Sequence, residues 1–158
     1  MPIEYSAGSI FDSGAALRVC PVNCVGVMGK GLAKEFKVYA TMPGHTTSML
    51  EIIYKRLCSD RRMFPGSVFV VKSAEMDYYP PMDIALVATK DHWKNPSKIE
   101  WVDSVISALV KCKCKSIAIP ALGCGLGGLP WADVKALIEK HFNDWPGRVI
   151  VFPPKEEG

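Results

Sequence analysis

Residues 83–90 read DIALVATK, with five consecutive apolar residues at 84–88. A strand wetted on one face alternates apolar and polar residues. An unbroken apolar run therefore requires cover on both faces, as in a parallel sheet between helix layers. LRVCPVN (17–23), SVFVVK (67–72), SIAIP (116–120) and RVIVF (148–152) also read as strands, with IEYSAG (3–8) as a further one. The segments between them change period. GLAKEFKVY (31–39), TSMLEIIYKRLC (47–58) and PWADVKALIEKHF (130–142) read as helices, the last with Pro130 in its first turn. NPSKIEWVDSVISALVKC (95–112) places Ile99, Val102, Ile106, Leu109 and Val110 at helical spacing, and Ser97 with Glu100 predicts a capping box at its start. Strands separated by helices make this an α/β protein, its residues 1–158 one domain with a mainly parallel sheet between helix layers. Ligands of such sheets bind beyond the carboxyl ends of the strands.

Two glycine clusters fall at such ends, VNCVGVMGKGLAKEFK (22–37) and PALGCGLGGLPW (120–131), and they hold seven of the thirteen glycines. Glycine admits positive φ and lets backbone amides approach a ligand with no Cβ between, so successive inward amides form an anion nest. A helix beginning at the loop adds its N-terminal partial charge. Tight turns alone would explain one such loop; two on one sheet edge point to a ligand. It is not a nucleoside triphosphate in a Walker loop, because Gly26-Val27-Met28-Gly29-Lys30 has the wrong spacing and Gly31 stands where a magnesium-binding hydroxyl belongs. GCGLGG spells a dinucleotide fingerprint, but it comes late, Pro130 delays the helix, and no second mononucleotide half follows. A clamp on a diphosphate flanked by ribose groups fits both loops.

Composition narrows the field further. A net charge of +3 suits an anionic ligand and falls far short of a basic DNA-binding stripe. Cys20, Cys24, Cys58, Cys112, Cys114 and Cys124 sit mostly in apolar runs and read as free thiols. Their C-x3-C and C-x-C spacings, with three scattered histidines, do not make a zinc site, so no metal is expected. The start MPIEYSAGSIFD lacks a basic region followed by an apolar stretch, and no run approaches the roughly 18 apolar residues of a membrane helix. A cytoplasmic protein with no membrane contact is expected.

Together VNCVGVMGKGLAKEFK, ATKDHWKNPSKIEWV and PALGCGLGGLPWADV resemble the macro domain family, ADP-ribose binders of three-layer α/β/α fold with a mixed, mainly parallel sheet. The likeness is to the branch holding the DNA ADP-ribosyl glycohydrolase antitoxin DarG and the terminal ADP-ribose protein glycohydrolase. By that resemblance Asn23 would hold the distal ribose as part of the catalytic set, with Val25, Gly26, Val27, Met28, Gly29 and Gly31 lining it. Leu122, Gly123, Cys124, Gly125, Leu126, Gly127 and Gly128 would cradle the diphosphate, Ser9 and Ile10 would meet the adenine, and Lys90 would take the catalytic lysine position. No cofactor is implied; the partners implied are ADP-ribose and ADP-ribosylated substrate, ADP-ribosylated DNA among them. Two departures stand out. Many relatives carry Asp where Ser9 follows Gly8, and the protein-deglycosylating relative carries Asp where Gly127 stands, which favours the DNA-directed type. That type continues past its macro domain, so the chain is expected to be a stand-alone relative or an excised domain.

The residues also have readings of their own. Lys90, at the end of a buried strand, could serve as an imine-forming nucleophile or a proton donor and acceptor if burial or neighbouring cations lowered its pKa; otherwise it is a solvated lysine. Asn23 offers a donor and an acceptor to a sugar diol, or forms a turn at its strand end. Asp91 and His92 are secondary candidates that a loop bonding its own backbone would equally explain. Trp93, Trp101, Trp131 and Trp145 could stack a base or belong to core and rim, and Lys30 could meet phosphate or only water. The expected function is hydrolytic removal of ADP-ribose from a macromolecule, DNA before any other, with a non-catalytic ADP-ribose reader and an ADP-ribose 1''-phosphate phosphatase as alternatives.

Overall fold

The apolar runs assemble into one six-stranded sheet. The computed structural model describes residues 3–41, 44–46, 48–76 and 82–155. Its strands are β1 (Glu4–Tyr5), β2 (Leu17–Val22), β3 (Val68–Val71), β4 (Asp83–Ala88), β5 (Ser116–Pro120) and β6 (Arg148–Phe152), in the order β1-β6-β5-β2-β4-β3. All neighbours run parallel except the edge strand β3, which pairs antiparallel with β4. The helices are α1 (Gly31–Tyr39), α2 (Met49–Ser59), the single turn α3 (Ser73–Met76), α4 (Ile99–Leu109) and α5 (Trp131–Phe142), with a 3-10 turn at Ile10–Asp12. Thr47, which the sequence places in the second helix, lies outside the described residues.

The period-2 geometry of a strand sends successive side chains to opposite faces. In β4, Ile84, Leu86 and Ala88 join Phe36 of α1 and Leu50, Tyr54 and Leu57 of α2 in one core. Ala85 and Val87 join Val102, Val105, Ile106 and Leu109 of α4 and Val134, Ile138 and Phe142 of α5 in the other. Both faces are covered, which is why the run has no polar member. The result is an α/β/α sandwich.

The placement of the glycine clusters follows from one adjacency. β2 and β5 are neighbours, with Leu17 opposite Ile117 and Arg18 opposite Ala118. The chain leaves β2 toward α1 on the first core and leaves β5 toward α5 on the second. Connections diverging from adjacent parallel strands open a crevice between them, the switch point at which open α/β sheets bind ligands.

Three local expectations are corrected. Ser97 does not cap α4: the helix begins at Ile99 with Lys98 at the N-cap position and no side-chain cap bond. The Ser97 N–H instead donates to the Gly127 carbonyl at 3.0 Å, and its Oγ is buried with no hydrogen-bond partner among the described residues. The same S-x-x-E letters do operate at α2, where Ser48 Oγ accepts from Glu51 N at 3.2 Å. Pro130 occupies the N-cap of α5 rather than its first turn. The run 3–8 yields only two strand residues, because Ser6 Oγ accepts from Gly8 N at 3.1 Å and turns the chain. All six cysteines are free, Cys20 and Cys124 buried and the others half-buried. No helix among the described residues is long and apolar enough to cross a membrane.

Urea unfolding should separate the two serines. Ser48→Ala should lose about 1 kcal/mol, the usual worth of an N-cap. Ser97→Ala should hold or gain stability, since it removes a buried hydroxyl that lacks a partner. Equal losses would mean that Ser97 caps α4 after all.

Candidate functional site

The crevice is a cleft of about 1470 Å³, floored by the carboxyl ends of β2, β4, β5 and β6 and walled by the two glycine loops. The first loop takes its shape from Asn23. Asn23 Oδ1 accepts from Val25 N (3.0 Å), Val27 N (3.4 Å) and the Tyr54 hydroxyl (2.7 Å), while its Nδ2 donates to Val27 O (2.9 Å). Tyr54 is fully buried, and burial pushes its phenol far up, so it stays a donor. Asn23 is thus a staple of the loop, with one Nδ2 hydrogen left for a ligand. Lys30 forms the N-cap of α1 without a side-chain cap bond, and no acidic residue stands in the first turn. Gly31, Leu32 and Ala33 of that turn line the cleft, so uncapped amides and the positive end of the helix face it.

The second loop closes on itself while leaving amides free. Gly128 N donates to Cys124 O (2.8 Å), Leu129 N to Gly123 O (2.9 Å) and Cys124 N to Ala121 O (3.2 Å). The N–H groups of Gly123, Gly125, Leu126 and Gly127 have no partner among the described residues, and all four residues line the cleft. Gly127 could not be anything larger: a Cβ there would lie 2.4 Å from Gly123 O and 2.5 Å from Ser97 Oγ. The position has no room for a carboxylate. Gly125 is the opposite case, since a Cβ there would meet nothing within 4 Å.

Lys90, half-buried just beyond β4, lines the cleft and donates from Nζ to Trp93 O at 3.3 Å. Glu35 is the one carboxylate side chain lining the cleft among the described residues. Ser9 lines it as well, its Oγ accepting from Phe11 N at 3.2 Å to cap the 3-10 turn, and buried Ile10 lies beside it. Val27, Gly29, Gly31, Cys124 and Leu126 also reach the cleft, and burial raises the Cys124 thiol to about 11.

Five candidates do not. Met28 and Leu122 are buried in the two cores, Val25 is exposed outside the cleft, Gly26 faces the Lys55 side chain of α2, and Gly128 serves the closing turn. Asp91 and His92 are occupied by their own loop. Asp91 Oδ1 accepts from His92 N (2.7 Å) and Asn95 Nδ2 (3.3 Å), bonds that hold its carboxyl below the usual range. Of the four tryptophans only Trp93 lines the cleft; Trp145 is buried and donates to Val110 O at 3.1 Å. Sequence reasoning missed Tyr5, Phe11, Thr89, Ser97 and Phe152, which line the cleft too. Tyr5 and Phe152 reach it because β1 pairs with β6, joining the two ends of the chain, and no local pattern signals that pairing.

Comparison with known proteins gives this geometry a family. The Macro domain model matches residues 19–138. The DNA ADP-ribosyl glycohydrolase of Mycobacterium tuberculosis is 34% identical over 157 residues, covering 96% of this chain and 42% of that protein. The chain thus spans less than half the length of the curated relative it matches. Among solved structures, the macrodomain of Mycobacterium tuberculosis DarG superposes with a TM-score of 0.83 at 32% identity, covering 98% of this chain and 99% of that one. Thermosipho africanus DarTG in complex with ADP-ribose gives 0.83 at 30% identity, covering 98% of this chain and 42% of that one. With a family model matched from β2 to α5 and the fold shared along nearly all its length, this chain belongs to the macro domain family.

Proposed function

We propose that the protein, residues 1–158 acting as one domain, binds ADP-ribose in the cleft and hydrolyses the glycosidic bond that joins the distal ribose to DNA. One observation carries the binding reading: unpaired amides of the 123–128 loop and the uncapped start of α1 converge on one cleft. Such donors suit the oxygens of a diphosphate. The names of the M. tuberculosis relative and of the ADP-ribose complex support the same ligand and reaction. The cytoplasmic location expected from the sequence is part of the same proposal.

Glycosidases usually set two carboxylates across the scissile bond. Here Glu35 is the one carboxylate lining the cleft among the described residues, and position 127 is closed to another. Lys90 is left to carry the proton or to attack the anomeric carbon as an amine, with Trp93 O orienting it. Water supplies the hydroxyl that the released ADP-ribose keeps, and the base leaves with a proton. Asn23 fixes the loop beside the ribose and offers it one amide hydrogen.

Calorimetry should find one ADP-ribose per chain, and binding should be lost in Gly125→Glu. That position has space for a side chain, so the fold survives while the carboxylate enters the cradle and repels the diphosphate. A folded variant that binds normally would place the diphosphate elsewhere.

Release of ADP-ribose should be followed in parallel from ADP-ribosylated DNA, ADP-ribosylated protein and ADP-ribose 1''-phosphate, with DNA the substrate consumed. Lys90→Ala should keep ADP-ribose affinity within a few fold yet slow release from DNA at least about a hundredfold, the scale of a positioned acid, base or nucleophile. Lys90→Arg should fail similarly, because a guanidinium neither forms an imine nor exchanges a proton near neutral pH. Borohydride trapping on Lys90 would identify the imine route. Parent rates in both variants would remove Lys90 from the mechanism, and binding without release in the parent would make the domain a reader.

A further inference from the structure

The loop after β4 is held by its own hydrogen bonds. Besides the two bonds to Asp91 Oδ1, His92 O accepts from Asn95 N (3.0 Å), His92 Nδ1 accepts from Lys94 N (3.1 Å), and Cys24 N of the first glycine loop donates to Asp91 O (3.2 Å). These bonds pair the loop's polar atoms with one another and tie the loop to the first glycine loop. The Trp93 indole is left 47% exposed on the cleft rim. His92 stacks on it with ring centroids 5.3 Å apart and planes 30° from parallel, and the Lys94 ammonium stands 5.2 Å from its centroid. Of the charged side chains lining the cleft among the described residues, Lys30, Lys90, Lys94 and Lys155 are cationic and Glu35 alone is anionic.

We infer that Trp93 is a stacking platform for an unpaired base of a single-stranded nucleic acid whose ADP-ribosylated nucleotide occupies the cleft. The inference deepens the proposed function and rests on it. A braced aromatic face beside lysines is what single strands use: the base stacks on the ring and the backbone phosphates meet the ammonium groups. The base takes the place of the exposed Lys94 ammonium on the indole, and Lys94 turns to a phosphate. A duplex keeps its base faces stacked within the helix, and a peptide supplies neither a base nor regular phosphates. Trp93 O also accepts from Lys90 Nζ, so platform and amine belong to one hydrogen-bonded unit.

The test begins with binding that needs no turnover. A fluorescein-labelled, unmodified single-stranded DNA oligonucleotide of mixed sequence and its duplex are titrated with the parent, Trp93→Ala and Trp93→Phe by anisotropy at low salt, with circular dichroism to check folding. The parent should prefer the single strand, Trp93→Ala should bind it about tenfold more weakly, and Trp93→Phe should stay within about threefold of the parent. Parent-like binding by a folded Trp93→Ala, or duplex bound as tightly as single strand, overturns the platform. The second arm takes the ratio of kcat/KM on an ADP-ribosylated oligonucleotide to that on an ADP-ribosylated nucleoside, which should fall about tenfold in Trp93→Ala, mainly through KM. An unchanged ratio overturns the platform while leaving the glycohydrolase reading intact. Trp93-dependent binding with no release from either substrate supports the platform and removes the glycohydrolase. An ADP-ribosylated peptide processed as well as the oligonucleotide overturns the nucleic-acid assignment.

Discussion

The parallel pairing of β2 with β5 sets the position of the cleft. Adjacent strands stand about 4.8 Å apart, and loops leaving their ends toward opposite helix layers diverge from that narrow origin. Side chains on both loops would fill the opening. Glycines leave it empty, and the five of the two clusters that line it, Gly29, Gly31, Gly123, Gly125 and Gly127, express the same geometric requirement as the strand order. The helix layers fix the rest by determining the direction in which each loop departs.

The two loops hold their shapes by different means. The first depends on a buried amide: three donors meet Asn23 Oδ1, and one of them, Tyr54, belongs to α2 on the first core. Its geometry is therefore set by packing before any ligand arrives. The second depends on closeness of backbone to backbone, with Gly127 against Gly123 and Ser97 at distances no side chain could share. The Ser97 N–H bond to Gly127 O ties this loop to the segment that leads into α4, and Cys24 N ties the first loop to Asp91 O. Both walls of the cleft are thereby joined to the stretch that carries Lys90 and Trp93.

Much of the fold was legible because a covered parallel sheet writes itself as unbroken apolar runs; the limits of the β5, β6 and α1 segments agree with the sequence reading to the residue. The cleft was legible in outline for a related reason, since glycines cluster where backbone must approach a ligand. Single apolar letters inside the loops were not. Met28 and Val27 are adjacent and alike in sequence, yet one is buried in the core and the other lines the cleft, and only the turn set by Asn23 decides which. Ser48 and Ser97 share one motif, and a tertiary bond to Gly127 decides that only the first caps a helix. Tyr5 and Phe152 lie almost a whole chain apart in sequence, beyond any local signal.

The far wall of the cleft rests on the shortest strand of the sheet. β1 contributes two residues, held to β6 by the Glu4–Ile150 and Tyr5–Val151 pairs and by Ser6 N to Val151 O at 2.9 Å. The side-chain ties are also at the surface: Arg148 to Glu4 at 2.6 Å, and the Tyr5 hydroxyl to Glu139 at 2.5 Å. An edge with so few amides in the ladder and so little buried apolar surface opens far more readily than the β2–β4–β5 centre, and its hydrogens exchange accordingly. The pocket is therefore rigid on one side and pliant on the other: the end walled by the two glycine loops is fixed by the sheet's central strands, while the end walled by Tyr5 and Phe152 can breathe without unfolding the sheet. A ligand long enough to touch both ends would clamp the chain's amino-terminal segment to its carboxyl-terminal strand, slowing exchange at β1 most of all.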